Sequence, residues 1–215
     1  MNVFFVNLCM EIEEIYQFFY SEGKLRQNNN EKFLRDIENY LTIIESEDNI
    51  YFDRLNYDYA ISLVDNEEYS RALPLIKHCL TKIKKENYQN NLIDIESYTK
   101  SLEFNTARSL YFTKKLNESK IIFSELHEKY PNNDIYKNWL KSSIHWKYQQ
   151  TINILWIISA FAIGINSISN WFKLKIWGDI SISITIICLL LIPTLILISK
   201  QQQKKVVQTN NKLKP

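Results

Sequence analysis

Apolar side chains recur every three or four residues along most of the first 150 positions, and polar residues fill the intervening positions. This period is that of an amphipathic α-helix, which buries one face. Short polar stretches interrupt the pattern and predict turns between successive helices. The pattern therefore predicts an all-α protein. Its apolar stripes occupy residues 8–19, 33–44, 51–63, 69–83, 102–111 and 122–126.

Two longer apolar runs follow these stripes. Residues 152–169 are 18 positions without a charge, and residues 180–199 are 20 more. About 20 helical residues cross a hydrocarbon core of roughly 30 Å, so both runs are long enough to span a membrane. Because ten residues separate them, they are expected to form an antiparallel hairpin. A pair of buried core helices is the alternative, which a run of 20 uncharged residues without a polar face disfavours.

The approach to the first apolar run carries no helix breaker. Asn133 is a residue type that caps helix starts, and neither Gly nor Pro occurs between it and Gly164. One continuous helix is therefore expected to run from Asp134 into the bilayer.

Charge is segregated along the chain. Residues 1–149 carry a net charge of −4 and residues 150–215 a net charge of +6, within an overall +2. Lysines on the approach and tail number eight, against two in the turn between the runs. Since lysine and arginine concentrate on the cytoplasmic side of membrane helices, we expect an integral membrane protein with both termini cytoplasmic. The expected domains are residues 1–149, 150–200 and 201–215.

The last of these segments is a basic tail that we expect to be disordered. Lys200, Lys204 and Lys205 stand immediately after the second apolar run, and no acidic residue accompanies them. Each lysine near an anionic surface contributes about 1 kcal/mol of attraction. Two interpretations stay open: the tail binds lipid headgroups, or it is only a flank that stops translocation.

Two stretches of the cytoplasmic part resemble each other. In each, a helix with a small residue at its centre precedes a second helix with a small residue followed by a large apolar one. This pattern resembles the tetratricopeptide repeat, in which small residues let two helices approach and large ones fill the space beside them. The packing positions that the resemblance implies are Ala60, Ala72, Ile76, Ala107, Ser119, Phe123 and Pro131.

The resemblance is not complete. The two stretches lie 47 residues apart, from Ala60 to Ala107, whereas the family period is about 34. The additional residues, around 87–95, indicate either long helices or an inserted turn. Another α-helical bundle is the alternative fold.

Tetratricopeptide repeats bind peptides along the surface formed by the first helix of each repeat. The register of this sequence implies that partly exposed Tyr and Arg side chains line such a surface, and these types are common at interfaces. Ile61 stands where a carboxylate-clamping Asn would be expected, so capture of a chain's C-terminal carboxylate is not expected. The implied partner-binding residues are Arg54, Tyr57, Asn105, Arg108 and Tyr111.

Residues for catalysis or metal binding are scattered. The three His and three Cys are far apart, the carboxylate clusters fall at turns, and three Gly in 215 residues leave no glycine-rich phosphate loop. We therefore expect no cofactor, no metal and no enzymatic activity, and an acidic domain without a basic face disfavours nucleic acid.

The combined features predict a scaffold that recruits a protein partner to a membrane. The alternative is a membrane effector, in which the helical domain senses or forms a homo-oligomer and the hairpin perturbs the bilayer.

Overall fold

The computed structural model describes residues 12–20, 30–44, 50–85, 88–173 and 175–212. Every regular element in these ranges is an α-helix, which confirms the all-α prediction. Part of the first predicted stripe lies outside the described residues. The helices are α1 (Ile12–Tyr20), α2 (Asn30–Ile44), α3 (Ile50–Asp65), α4 (Tyr69–Ile83), α5 (Ile95–Phe112), α6 (Leu116–Lys129), α7 (Asp134–Trp171) and α8 (Lys175–Lys212).

The chain divides into two compact units, residues 1–122 and 123–215. The division falls within α6. Helix α7 is one uninterrupted helix of 38 residues, which joins a polar first part to an apolar second part. The side chain of Asn133 caps this helix by accepting a hydrogen bond from the amide of Ile135 at 3.0 Å.

Helices of the first unit alternate between two layers. Helix α2 packs against α1 and α3, and α4 packs against α3 and α5. The odd-numbered helices also contact one another, α1 with α3 and α3 with α5. The odd-numbered helices therefore form one layer, here called the inner layer, which is covered on one side by α2 and α4.

The turn after α3 and the turn after α5 have the same backbone. Glu67 has φ 63° and Lys114 has φ 66°, and each terminates its helix in the left-handed conformation. In both turns the next amide donates to the carbonyl five residues back over 2.8 Å. The 47-residue spacing seen in the sequence is thus also present in the backbone, where α3–α4 and α5–α6 end and begin alike.

The small residues singled out in the sequence lie in the core. Ala60, Ala72 and Ala107 are completely buried, and so is Ser119. The hydroxyl of Ser119 donates to the carbonyl of Ala107 at 2.9 Å, so the start of α6 lies directly against the backbone of α5. A larger side chain at either place would force these helices apart.

The segment between α4 and α5 is an inserted turn, not an extension of either helix. Its described residues, 84, 85 and 88–94, carry no helix, and Asp94 caps α5 by accepting from the amide of Glu96 at 3.2 Å. The hydrogen bonds of this turn to α3 are part of the candidate site below.

In the second unit, α7 and α8 form an antiparallel hairpin. A Cβ placed on Gly178 would lie 3.4 Å from Oδ1 of Asn166 and 3.8 Å from Cβ of Ser169, so the two helices are in close contact near the turn. Shielded positions recur at alternating spacings of three and four, the pattern of two helices that wind around each other. This seam contains Ile152, Leu155, Ser159, Ala162, Asn166 and Ser169 of α7 and Gly178, Ser181, Thr185, Cys188, Ile192, Leu195 and Ser199 of α8.

Helix α8 continues beyond the second apolar run, through residues 201–212 of the basic tail. Residues 201–205 are three Gln and two Lys, which are all good helix formers. They extend a helix that has already formed, so they avoid the unfavourable nucleation step of an isolated segment.

Candidate functional site

A buried carboxylate connects the three helices of the inner layer. The side chain of Asp58, on α3, is 1% exposed and accepts three hydrogen bonds. Its donors are the hydroxyl of Tyr20 on α1, Nε of Arg54 at 2.8 Å and the hydroxyl of Tyr98 on α5 at 3.3 Å. These four residues are called the Asp58 cluster below.

The guanidinium of Arg54 is held on several sides. Its Nη1 donates to the carbonyl of Leu92 in the inserted turn at 2.8 Å, and its Cζ lies 4.8 Å from the ring centre of Tyr98. Although burial alone would lower the pKa of this guanidinium, the neighbouring Asp58 raises it, so the charge is retained. Burial, and then Asp58, raises the pKa of Tyr20, which keeps its hydroxyl neutral and able to donate.

A second set of contacts joins α3 to the end of α4 and to the inserted turn. Asp53 accepts from Nζ of Lys82 at 2.6 Å and from the hydroxyl of Tyr88 at 3.0 Å. The hydroxyl of Tyr57 donates to that of Tyr88 at 2.9 Å. Tyr57 is 1% exposed, so the expectation that it is partly exposed is wrong. The inserted turn covers it, and burial raises the pKa of its hydroxyl.

The remaining predicted binding residues lie at the other end of the inner layer. Asn105 is buried, and its Oδ1 accepts from Nη1 of Arg108 at 3.1 Å. Arg108 also pairs with Asp65, the last residue of α3, at 3.3 Å. Asp65 is eleven residues from Arg54, about 16 Å along a helix, so the two arginines do not form one patch.

A cleft of about 500 Å³ lies beside Arg108, between the two equivalent turns. Tyr69 and Phe112 stack within it, with ring centres 4.4 Å apart and planes 12° apart. Glu67, Glu68, Arg71 and Lys114 also line it, with Arg71 paired to Glu68, and Phe112 is 41% exposed. These residues, together with the adjacent Arg108 and Tyr111, are called the turn-end cleft below.

Sequence reasoning missed most of the turn-end cleft. Tyr111 was among the predicted residues and packs edge to face on Phe112, with ring centres 5.2 Å apart. Phe112 is the last residue of its helix, where the apolar period no longer specifies a face. The usable signal was the 47-residue spacing, because it implies two equivalent turns in neighbouring hairpins.

The hairpin exposes large apolar side chains over most of its surface. Phe161 is 71% exposed, Trp171 86% and Leu190 66%. The Lys200, Lys204 and Lys205 side chains are also exposed, on the helical continuation of α8. Both α7 and α8 contain a window long and apolar enough to cross a membrane, with 17% of each window buried.

Among the described residues, no group of three or more His, Cys, Asp or Glu side chains is arranged to hold a metal ion. Comparison with protein family profiles, with curated proteins and with solved structures gives no match to this chain.

Proposed function

We propose that this protein is a membrane-anchored scaffold: the hairpin spans a bilayer, and the helical hairpins of the first unit bind a protein partner at the cytoplasmic face. The observation that carries the proposal is the exposed apolar surface of α7 and α8. A two-helix hairpin buries only its seam, and the remaining faces of large apolar side chains exceed the patches that soluble monomers expose. Lipid covers such apolar faces. It offers no hydrogen bonds to the backbone, and both helices form their backbone hydrogen bonds internally.

The lysine distribution supports an orientation with both ends cytoplasmic. The two ends of the hairpin differ in charge, since the turn carries Lys173 and Lys175 while the approach and the tail at the open end carry eight lysines. This asymmetry is the determinant of orientation in short-loop membrane proteins.

A tetratricopeptide-like arrangement is proposed for the first unit. Three features support it: the two-layer alternation of helices, the two equivalent turns, and the buried small residues Ala60 and Ala107 at equivalent positions. Helices α1 and α2 supply a third hairpin, and three units are what a stable stack of this kind requires.

The turn-end cleft is the proposed partner site. It combines stacked aromatic rings with Arg71, Arg108 and Lys114, and aromatic and arginine side chains dominate the binding energy of many interfaces. The Asp58 cluster is less suited to this role, because its central carboxylate is 1% exposed, whereas Phe112 in the cleft is 41% exposed.

Anchoring is tested by thiol labelling in intact cells. In a chain without its native cysteines, a cysteine at Lys173 should react with an impermeant reagent added from outside. A cysteine at Glu118, exposed on α6, should react only after permeabilisation. Labelling of Glu118→Cys in intact cells, or protection of Lys173→Cys, would contradict the topology. Lys173 is preferred to Gly178 for this probe because Gly178 is buried in the seam.

Recruitment is tested by photo-crosslinking. A photoreactive phenylalanine analogue in place of Phe112 should give one defined protein adduct in cells. The matched control is Ile121, which is 58% exposed on α6 and outside the residues that line the cleft. Equal adducts at both positions, or none at Phe112, would refute the turn-end cleft as the binding site.

The effector alternative also has a specific observation in its favour. Oδ1 of Asn166 and Oγ of Ser159 are buried in the seam and have no hydrogen-bond partner among the described residues. Polar groups of this kind promote association of helices in lipid, which would satisfy them. Leakage of dye from vesicles when the protein oligomerises, lost on Asn166→Leu, would favour the effector over the scaffold.

A further inference from the structure

The open end of the hairpin brings lysines from both long helices to one level. Counting along the two helices from the contact of Gly178 with Asn166 and Ser169 puts Lys147 of α7 level with Lys200 of α8. Both are exposed, and so are Lys204 and Lys205 within the next turn. These four residues are called the lysine collar.

The lysine collar lies at the depth of lipid headgroups. Lys200 follows the last residue of the second apolar run, and Lys147 precedes the first run by five residues. At 1.5 Å per residue, the ends of the two runs place this shared level between about 1.5 and 7.5 Å beyond the hydrocarbon, within the headgroup layer on one side. Trp146, 43% exposed, lies beside Lys147, and tryptophan favours the same depth.

Neither α7 nor α8 carries an acid near the collar. The sole acid of α7 is Asp134, far from the apolar run, and the sole acid of α8 is Asp179 at the turn end. The turn end therefore has one acid near its two lysines, whereas neither helix places an acid beside the collar. Because α8 is helical here, the backbone positions of its lysines are already ordered before lipid binds.

From this placement we propose that the lysine collar is a binding site for anionic phospholipid headgroups, made jointly by α7 and α8. The chemistry recognised is a phosphate ester held at the interface by several ammonium groups. This inference rests on the proposed spanning of the membrane by the hairpin, and it extends the earlier expectation for Lys200, Lys204 and Lys205 by adding Lys147 and Trp146.

The test uses the full chain with Trp146 as the sole tryptophan, the other four being changed to Phe. The protein is reconstituted into phosphatidylcholine vesicles in which a minor fraction of the lipid is brominated phosphatidylglycerol or, in parallel, brominated phosphatidylcholine. We expect brominated phosphatidylglycerol to quench Trp146 at least twofold more strongly. Each lysine near an anionic surface contributes on the order of a fivefold preference.

In the quadruple variant Lys147→Gln, Lys200→Gln, Lys204→Gln, Lys205→Gln, both brominated lipids should quench Trp146 equally. The control Lys173→Gln, at the opposite end, should keep the preference. Equal quenching of Trp146 by both lipids, in the protein that keeps all collar lysines, would overturn the proposal. Loss of the preference when millimolar inorganic phosphate is added would assign the site to soluble phosphate and overturn it as well.

A second reporter separates this inference from the proposed anchoring. With Trp156 as the sole tryptophan, both brominated lipids should quench because this residue lies within the first apolar run. If neither lipid quenches Trp156, the hairpin does not enter the bilayer and the proposed function fails. Quenching of Trp156 together with equal quenching of Trp146 refutes the collar alone.

Discussion

Replacing Asp58 with Ala should destabilise the first unit more than any other single removal of a charge there. The carboxylate is almost fully buried, and it accepts from a guanidinium and two tyrosine hydroxyls. Removal of one partner of a buried ion pair costs about 3–5 kcal/mol, because the other charge is left unpaired. We therefore expect a loss of about 3–5 kcal/mol in the free energy of unfolding.

The matched control is an ion pair at the surface. Nζ of Lys84 lies 2.7 Å from Oε1 of Glu103, and the Lys84 side chain is 56% exposed. Exposed pairs contribute at most about 1 kcal/mol, so Glu103→Ala should change the free energy of unfolding by no more than that.

The measurement is native-state hydrogen exchange by mass spectrometry on the full chain in detergent micelles. It reports α3 and α5 separately from the hairpin, whereas fluorescence would not, since all five tryptophans lie after residue 138. Exchange of α3 amides should accelerate in Asp58→Ala and stay unchanged in Glu103→Ala. An equal and small effect of both variants would show that the Asp58 cluster does not hold the inner layer together.

The same contacts determine which variants are suitable for binding studies. Arg54→Glu would place a second carboxylate against Asp58, so loss of a partner from that variant would report unfolding as much as lost contact. Arg108→Glu has a milder cost, since its 3.3 Å pairing is with the half-exposed Asp65. Charge reversal at Arg108 alone is therefore the better probe of the partner site.

Three further outcomes follow from the packing and the pKa shifts. Ala72→Arg or Ala107→Arg should cost at least about 2 kcal/mol in urea unfolding followed by circular dichroism, because both sites are fully buried; an unchanged midpoint would contradict the helix register. Burial raises the pKa of Tyr59 and of Cys79, each to about 12. The folded state therefore holds these protons more tightly, and stability should be complete below pH 9 and fall between pH 9 and 12; a flat alkaline profile would refute this. Gly178→Leu should lower the melting temperature of the hairpin in micelles, whereas Gly164→Leu should not, as Gly164 has open space around it.

The local elements could be predicted from the sequence because they depend on local periodicity. The helices, the turn after Asp65 and the cap at Asn133 each follow from residues within one or two turns of each other. The equivalence of Ala60 and Ala107 was also visible, since a repeat leaves small residues at matching positions.

The surroundings of Arg54 and Tyr57 could not be predicted in the same way. Their partners, Leu92 and Tyr88, lie 38 and 31 residues away in a turn whose path no local pattern specifies. The helical pattern correctly places Arg54 and Tyr57 on one helix. It does not show that another segment of the same chain covers their side chains. The same limitation hid the turn-end cleft, which depends on two turns that are 47 residues apart.

The two units rely on different surroundings, and this separates anchoring from recruitment. The first unit has its own apolar core and pairs its buried charges internally, as the Asp58 cluster shows. The hairpin instead leaves most of each apolar window uncovered, and in the proposed anchoring lipid supplies the contacts that a protein core would otherwise provide. Helices α7 and α8 each have 38 residues, about 57 Å, which exceeds the hydrocarbon thickness by roughly 27 Å. The excess carries the lysine collar, so the proposed anchoring and headgroup binding both belong to the hairpin, while the turn-end cleft can be altered without changing either.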